Sequence, residues 1–68
     1  MNDAYATYSR WEDAYYKNRN GLRLGQAFLN TFFPKVVDSD LYNEKNDYVA
    51  RNLIREYYLD AGYELKAE

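Results

Sequence analysis

The chain is 68 residues long and carries nine tyrosines, three phenylalanines and one tryptophan, but no histidine and no cysteine. A domain of this size buries only about 60% of the surface its unfolded chain exposes, and with no disulfide available an aromatic core or a partner subunit has to supply the stability. The absent side chains are those that most often serve as proton shuttle, thiolate nucleophile and zinc ligand, so no enzyme, cofactor or metal site is expected, and the tyrosines point to contact instead.

The first helix is expected over residues 3–18. Ala4, Tyr8, Trp11 and Tyr15 recur at helical spacing and share one face, with Asn2 or Asp3 available to accept the free N–H groups at the start. Asn18, Asn20 and Gly21 signal its end and a turn. A second helix should span 22–33, with Leu22, Leu29 and Phe33 on one face and Phe28 and Phe32 widening the stripe, until Pro34 stops it. Residues 34–46 read as a connection in which Val36 and Val37 tuck inward and Asp38-Ser39-Asp40 turns the chain. The third helix should cover 47–60, with Ala50, Leu53, Ile54, Tyr57 and Tyr58 at helical spacing and Ala61-Gly62 ending it. In the tail, 63–68, Tyr63 and Leu65 fold back while Lys66-Ala67-Glu68 frays. The expected architecture is a single all-α domain, a small bundle of three short helices, with Trp11, Phe28, Phe32, Phe33, Leu53 and Ile54 in its core.

The formal charge of −2 is unevenly spread. Residues 1–35 set Arg10, Lys17, Arg19, Arg23 and Lys35 against Asp3, Glu12 and Asp13, for +2. Residues 36–68 set Lys45, Arg51, Arg55 and Lys66 against Asp38, Asp40, Glu44, Asp47, Glu56, Asp60, Glu64 and Glu68, for −4. The halves can attract each other within one fold or across a homodimer. Residues 1–5 have neither a basic n-region nor an apolar h-region, and no run approaches the roughly 18 apolar residues of a membrane span, so a soluble cytoplasmic protein with no membrane partner is expected.

The tightest local constellation runs from Asn20 to Asn30, through Arg23-Leu24-Gly25-Gln26. A glycine inside a helix costs about 0.5–1 kcal/mol relative to alanine, so a close approach should justify Gly25. Either the first or third helix packs on the bare Cα, or Gly25 opens a notch between Arg23 and Gln26, with Asn30 one turn beyond, for a partner's backbone or carboxylate. This run, followed by Pro34 and an Asp40-Leu41-Tyr42 step, resembles the R-x-G-Q-x-x-x-N pattern of short accessory proteins of bacteriophages and prophages. The resemblance covers residues 20–45 and implies a viral accessory protein in the host bacterial cytoplasm that binds, and blocks or redirects, a host protein.

Other chemistry finds little support. Asp38-Ser39-Asp40 with Asn43 and Glu44 lacks the glycine of a calcium loop and has Val49 where its last glutamate belongs, and Gly21 and Gly25 are not followed by the Lys-Ser or Lys-Thr of a phosphate loop. Arg10, Lys17, Arg19 and Arg23 beside Tyr15 and Tyr16 make a basic corner suited to nucleic acid, although the isoelectric point near 5.0 runs against a nucleic-acid footprint. The acidic half offers the opposite reading, a row of carboxylates standing in for phosphates. Adjacent tyrosines on a helix diverge by about 100°, so one of Tyr15/Tyr16 and one of Tyr57/Tyr58 must face outward. Tyr16 and Tyr58 are the expected partner-binding anchors, supported by Arg19, Arg23, Gln26 and Arg55.

Overall fold

The most apolar stretch of the sequence becomes the axle of the fold. In the computed structural model, which describes residues 3–19 and 21–65, helix α2 (Leu24–Phe32) is buried at Leu24, Gly25, Ala27, Phe28, Leu29 and Phe32, that is, nearly all round. A helix apolar on every side has to be surrounded, and the other elements do this. Helix α1 (Ala4–Lys17) lies on one flank, and α3 (Ser39–Asn43) and α4 (Asp47–Ile54) close the other, with a single π-helical turn, Arg55–Leu59, continuing α4. Among the described residues there is no strand, and the all-α bundle is as expected.

Helix α1 buries Ala4, Tyr8 and Tyr15, with Trp11 packed against the core beside them, as the spacing requires. Asp3 occupies its N-cap position without a side-chain bond, and its carbonyl accepts from Thr7 N–H at 3.0 Å. The Tyr15 hydroxyl donates to the Leu22 carbonyl at 2.6 Å and pins the connection, where Gly21 takes a φ of 74° that suits glycine. Asn2 and Lys66-Ala67-Glu68 lie outside the described residues.

Phe28 is the hub of the core. Its ring meets Tyr8 at 5.9 Å, Trp11 at 5.8 Å, Phe32 at 5.3 Å, Phe33 at 5.8 Å and Tyr58 at 5.3 Å, so α1, α2 and the π turn converge on it. Edge-on and tilted pairs of this kind add about 0.5–1.5 kcal/mol each beyond burial. Trp11 and Phe33 border the core with Leu53, while Ile54 and Phe32 lie inside it.

The connection differs from expectation. It contains the short helix α3, begun by Asp38, whose Oδ1 accepts from Leu41 N–H at 3.2 Å. Leu41 from this helix, and not Val36 or Val37, plugs the space beside α2; the valines are displaced to the surface, Val37 to 92% exposure. Asn46 starts α4 by accepting from the N–H groups of Tyr48 and Val49. Gly62, at φ 90°, ends the π turn. Tyr63 N–H donates to the Tyr58 carbonyl and Gly62 N–H to Leu59, and the Tyr58 and Tyr63 rings meet at 6.1 Å across this cap. Leu65 then folds back into the core as expected, with Tyr63 against Phe33 at 6.0 Å. The radius of gyration, 11.0 Å, matches the roughly 11 Å of a compact chain of this length.

Candidate interaction surface

The residues picked from the sequence divide into those the fold consumes and those it leaves outside. Tyr16 and Arg19 lie where α1 faces α4. Tyr8 donates its hydroxyl proton to Glu12 Oε2 at 2.6 Å, and Arg51 Nε donates to the same oxygen at 2.9 Å. Arg51 Nη2 also donates to the Tyr16 hydroxyl at 3.3 Å, which in turn donates to Asp47 Oδ2 at 3.1 Å; Arg19 Nη2 reaches that oxygen at 3.4 Å. The chain of partners straps α1 to α4. Burial first, and the Glu12 carboxylate second, push the Tyr8 hydroxyl's pKa well above the ordinary tyrosine value, and the hydrogen bond to Glu12 holds the Arg51 guanidinium further into its charged range. Burial and Asp47 raise Tyr16 in the same direction. Arg19 also lies over the rings of Tyr15 and Tyr16, 5.4 and 5.6 Å from their centroids.

The Arg23-to-Gln26 run serves the α2–α3 contact. Gly25 is buried, and a Cβ there would collide with the Leu41 backbone carbonyl and lie 2.8 Å from Leu41 Cδ1. Arg23 Nη1 donates to the Asn43 carbonyl at 3.2 Å, placing a cation at the C-terminal end of α3, and Gln26 Nε2 donates to the Tyr42 hydroxyl at 2.9 Å. The notch expected to receive a partner is therefore filled by the chain's own Leu41. Close approach does justify the glycine, but the approaching element is α3 rather than the first or the last helix. Asn30, the remaining motif residue, is exposed.

Tyr58 is corrected from surface anchor to core residue: it is 7% exposed, and Tyr57 is outside at 59%. On a straight α-helix Tyr57 falls four residues after Leu53 and seven after Ala50, which would turn it inward. The π turn reverses this. Its Asp60 N–H donates to the Arg55 carbonyl at 2.7 Å, five residues back, so each side chain lags behind the α-helical phase; Tyr58 and Leu59 swing in and Tyr57 swings out. The Tyr58 hydroxyl donates to Asp38 Oδ2 at 2.8 Å, and burial followed by that carboxylate raises its pKa well above the usual tyrosine value. Asp38 thus caps α3 and anchors the π turn with its two oxygens.

Tyr57 stands over a cleft of about 340 Å³ that it lines with Leu53, Asp38 and Asp40. Arg55, also exposed, precedes it on the same turn. Tyr57 was absent from the sequence-derived set because its outward position depends on a backbone irregularity that residue spacing does not announce. The basic corner is partly spent, with Arg19 on Asp47 and Arg23 on a carbonyl, and the acidic row is broken where Asp38, Glu44 and Asp47 accept internal hydrogen bonds. Among the described residues no cluster of acids could hold a metal ion, and no helix is long and apolar enough to cross a membrane. No protein-family model, curated protein or solved structure matches the chain.

Proposed function

We propose that this chain is a non-enzymatic interaction module of a bacteriophage, working in the cytoplasm of its host, that docks on a host protein through the π turn and inhibits or redirects it. The observation that carries the docking reading is Tyr57, held out by the π turn at the rim of a cleft whose apolar wall is Leu53 and whose acids are Asp38 and Asp40. A rigid ring with a hydroxyl, with the exposed Arg55 two residues before it in the chain, has the composition of an interface anchor, and π turns are frequent at functional positions. Holding such a ring outside the core forgoes the burial that a small domain needs, which a partner would restore. The phage setting rests on the pattern from Arg23 to Asn30. Tyr16 and Arg19, partly exposed but tied to α4, extend the contact rather than centre it.

Affinity capture from bacterial lysate, with nuclease treatment and a salt series, tests the reading. One host protein retained in stoichiometric amount through both treatments, and lost when Tyr57→Ala is the bait, supports it. Retention of nucleic acid that disappears as salt rises would instead make the exposed cations Arg10 and Lys17 the functional site.

A further inference from the structure

We infer that the chain forms a closed two-fold dimer in which Val37 of each copy seats in the groove between α1 and α2 of the other. The groove, of about 260 Å³, is floored by Trp11, Leu22 and Ala27 and rimmed by Asn18, Arg19 and Asn30. Asn30 is the motif residue that the fold leaves unused, and here it has a place. The α1 lip is cationic. Arg10 and Lys17 lie four residues before and three after Ala14, which lines the groove, so they share its ridge, and Arg19 follows; Asp13 is the acid among them.

The complementary feature is the turn that follows α2. A single exposed valine is ordinary, but Val36 and Val37 are exposed in succession, beside Tyr42, on a turn that continues into Asp38 and Asp40. This is an apolar knob between the exposed Lys35 and the exposed Asp40, Asp38 being engaged by Leu41 and Tyr58, and it is set against an apolar groove with cations along its lip. Knob and groove are joined by a continuous band. Asn30 and Thr31 end the groove and begin the cleft that runs to Val36, and Val36 and Val37 line the next cleft with Tyr42. A knob and a groove joined by one band of clefts can pair reciprocally about a two-fold axis, and in that arrangement each contact is made twice and the assembly closes.

The groove suits an aliphatic side chain better than a nucleobase. Trp11 is stacked by Tyr15 at 5.6 Å on one side along the helix and covered by Tyr8 at 5.8 Å on the other, so it offers an edge rather than an open face for stacking.

Sedimentation equilibrium of the full chain from micromolar to millimolar, read together with the emission of its single tryptophan, tests the dimer. A monomer–dimer equilibrium is expected, weakened by salt, with Trp11 emission shifting to the blue as dimer forms. Val37→Asp should weaken association about a hundredfold, because each dimer loses two seated valines and each is worth roughly tenfold. Val37 touches little of its own fold, so far-UV circular dichroism of that variant should match wild type. Tyr57→Ala should dimerise normally, because Tyr57 lines neither the groove nor the cleft beside Val37. A monomer at millimolar concentration, a Val37→Asp protein that dimerises like wild type, open-ended growth beyond the dimer, or Trp11 emission that answers to an oligonucleotide rather than to protein concentration would each overturn the inference.

Discussion

Replacing Gly25 with alanine isolates the contact on which α2 and α3 depend. Alanine in a helix interior gains about 0.5–1 kcal/mol over glycine, so propensity alone makes the variant more stable. Steric overlap opposes this gain and outweighs it. The new Cβ would overlap the Leu41 carbonyl, a backbone group that cannot rotate aside, and would press on Leu41 Cδ1 at 2.8 Å. Relief requires α3 to move, and α3 is tied on three sides, by Arg23 on the Asn43 carbonyl, by Gln26 on Tyr42 and by Asp38 on Tyr58. Overpacking typically costs about 1–3 kcal/mol, and against a backbone carbonyl held in place it takes the upper part of that range, about 2–3 kcal/mol, so that after the full propensity gain of about 1 kcal/mol the net loss is about 1–2 kcal/mol. For a domain this small that corresponds to a melting temperature lower by roughly 4–16 °C, measurable by thermal or urea unfolding followed by circular dichroism. A Gly25→Ala protein as stable as wild type, or more stable, would refute the packing assigned to this residue.

Three further outcomes follow from the polar contacts. Tyr8 and Tyr58 have folded-state pKa values raised above 10, so the unfolded chain releases their protons first; their contribution is complete below pH 10 and is lost as pH rises above it, by about 1.4 kcal/mol per pH unit for each tyrosine, and Tyr8→Phe or Tyr58→Phe should flatten the alkaline limb of a urea-midpoint profile. Glu12→Ala strands the Tyr8 hydroxyl and Arg51 and should cost about 1–3 kcal/mol, whereas Arg19→Ala removes a long exposed pair and should cost less than about 1 kcal/mol; equal losses in urea unfolding would contradict the strap. Asp38→Ala removes both the α3 cap and the Tyr58 acceptor and should cost about 1–3 kcal/mol, while Asp38→Ser, which retains a capping oxygen, should recover part of that loss in the same assay.

The long, strongly patterned parts of the fold were legible in the sequence. The spacing of Ala4, Tyr8, Trp11 and Tyr15 places α1, Pro34 and Gly62 mark where α2 and the last helix give way, and Leu65 folds back as its apolar character requires. Helix α3 was not legible. Five residues are too few to show a period, and its two signals, the Asp38 cap and the apolar Leu41, read equally well as a turn. Missing it reversed the valines, because the space they were expected to fill belongs to Leu41. The choice between Tyr57 and Tyr58 failed for a different reason: spacing assumes α-helical phase, and the π turn changes that phase within the pair. The motif around Gly25 was visible as something that needed explaining, but Arg23, Gly25 and Gln26 face α3 and so explain the fold rather than a contact with a partner.

Amide hydrogen exchange of the chain, alone and with any host protein recovered by the affinity capture, tests the proposed docking through Tyr57. New protection is expected at residues 38–40 and 53–57, around Tyr57 and its cleft, and none of it when Tyr57→Ala replaces the wild-type chain. Protection centred instead on α1 around Arg10 and Lys17, or unchanged by Tyr57→Ala, would contradict it.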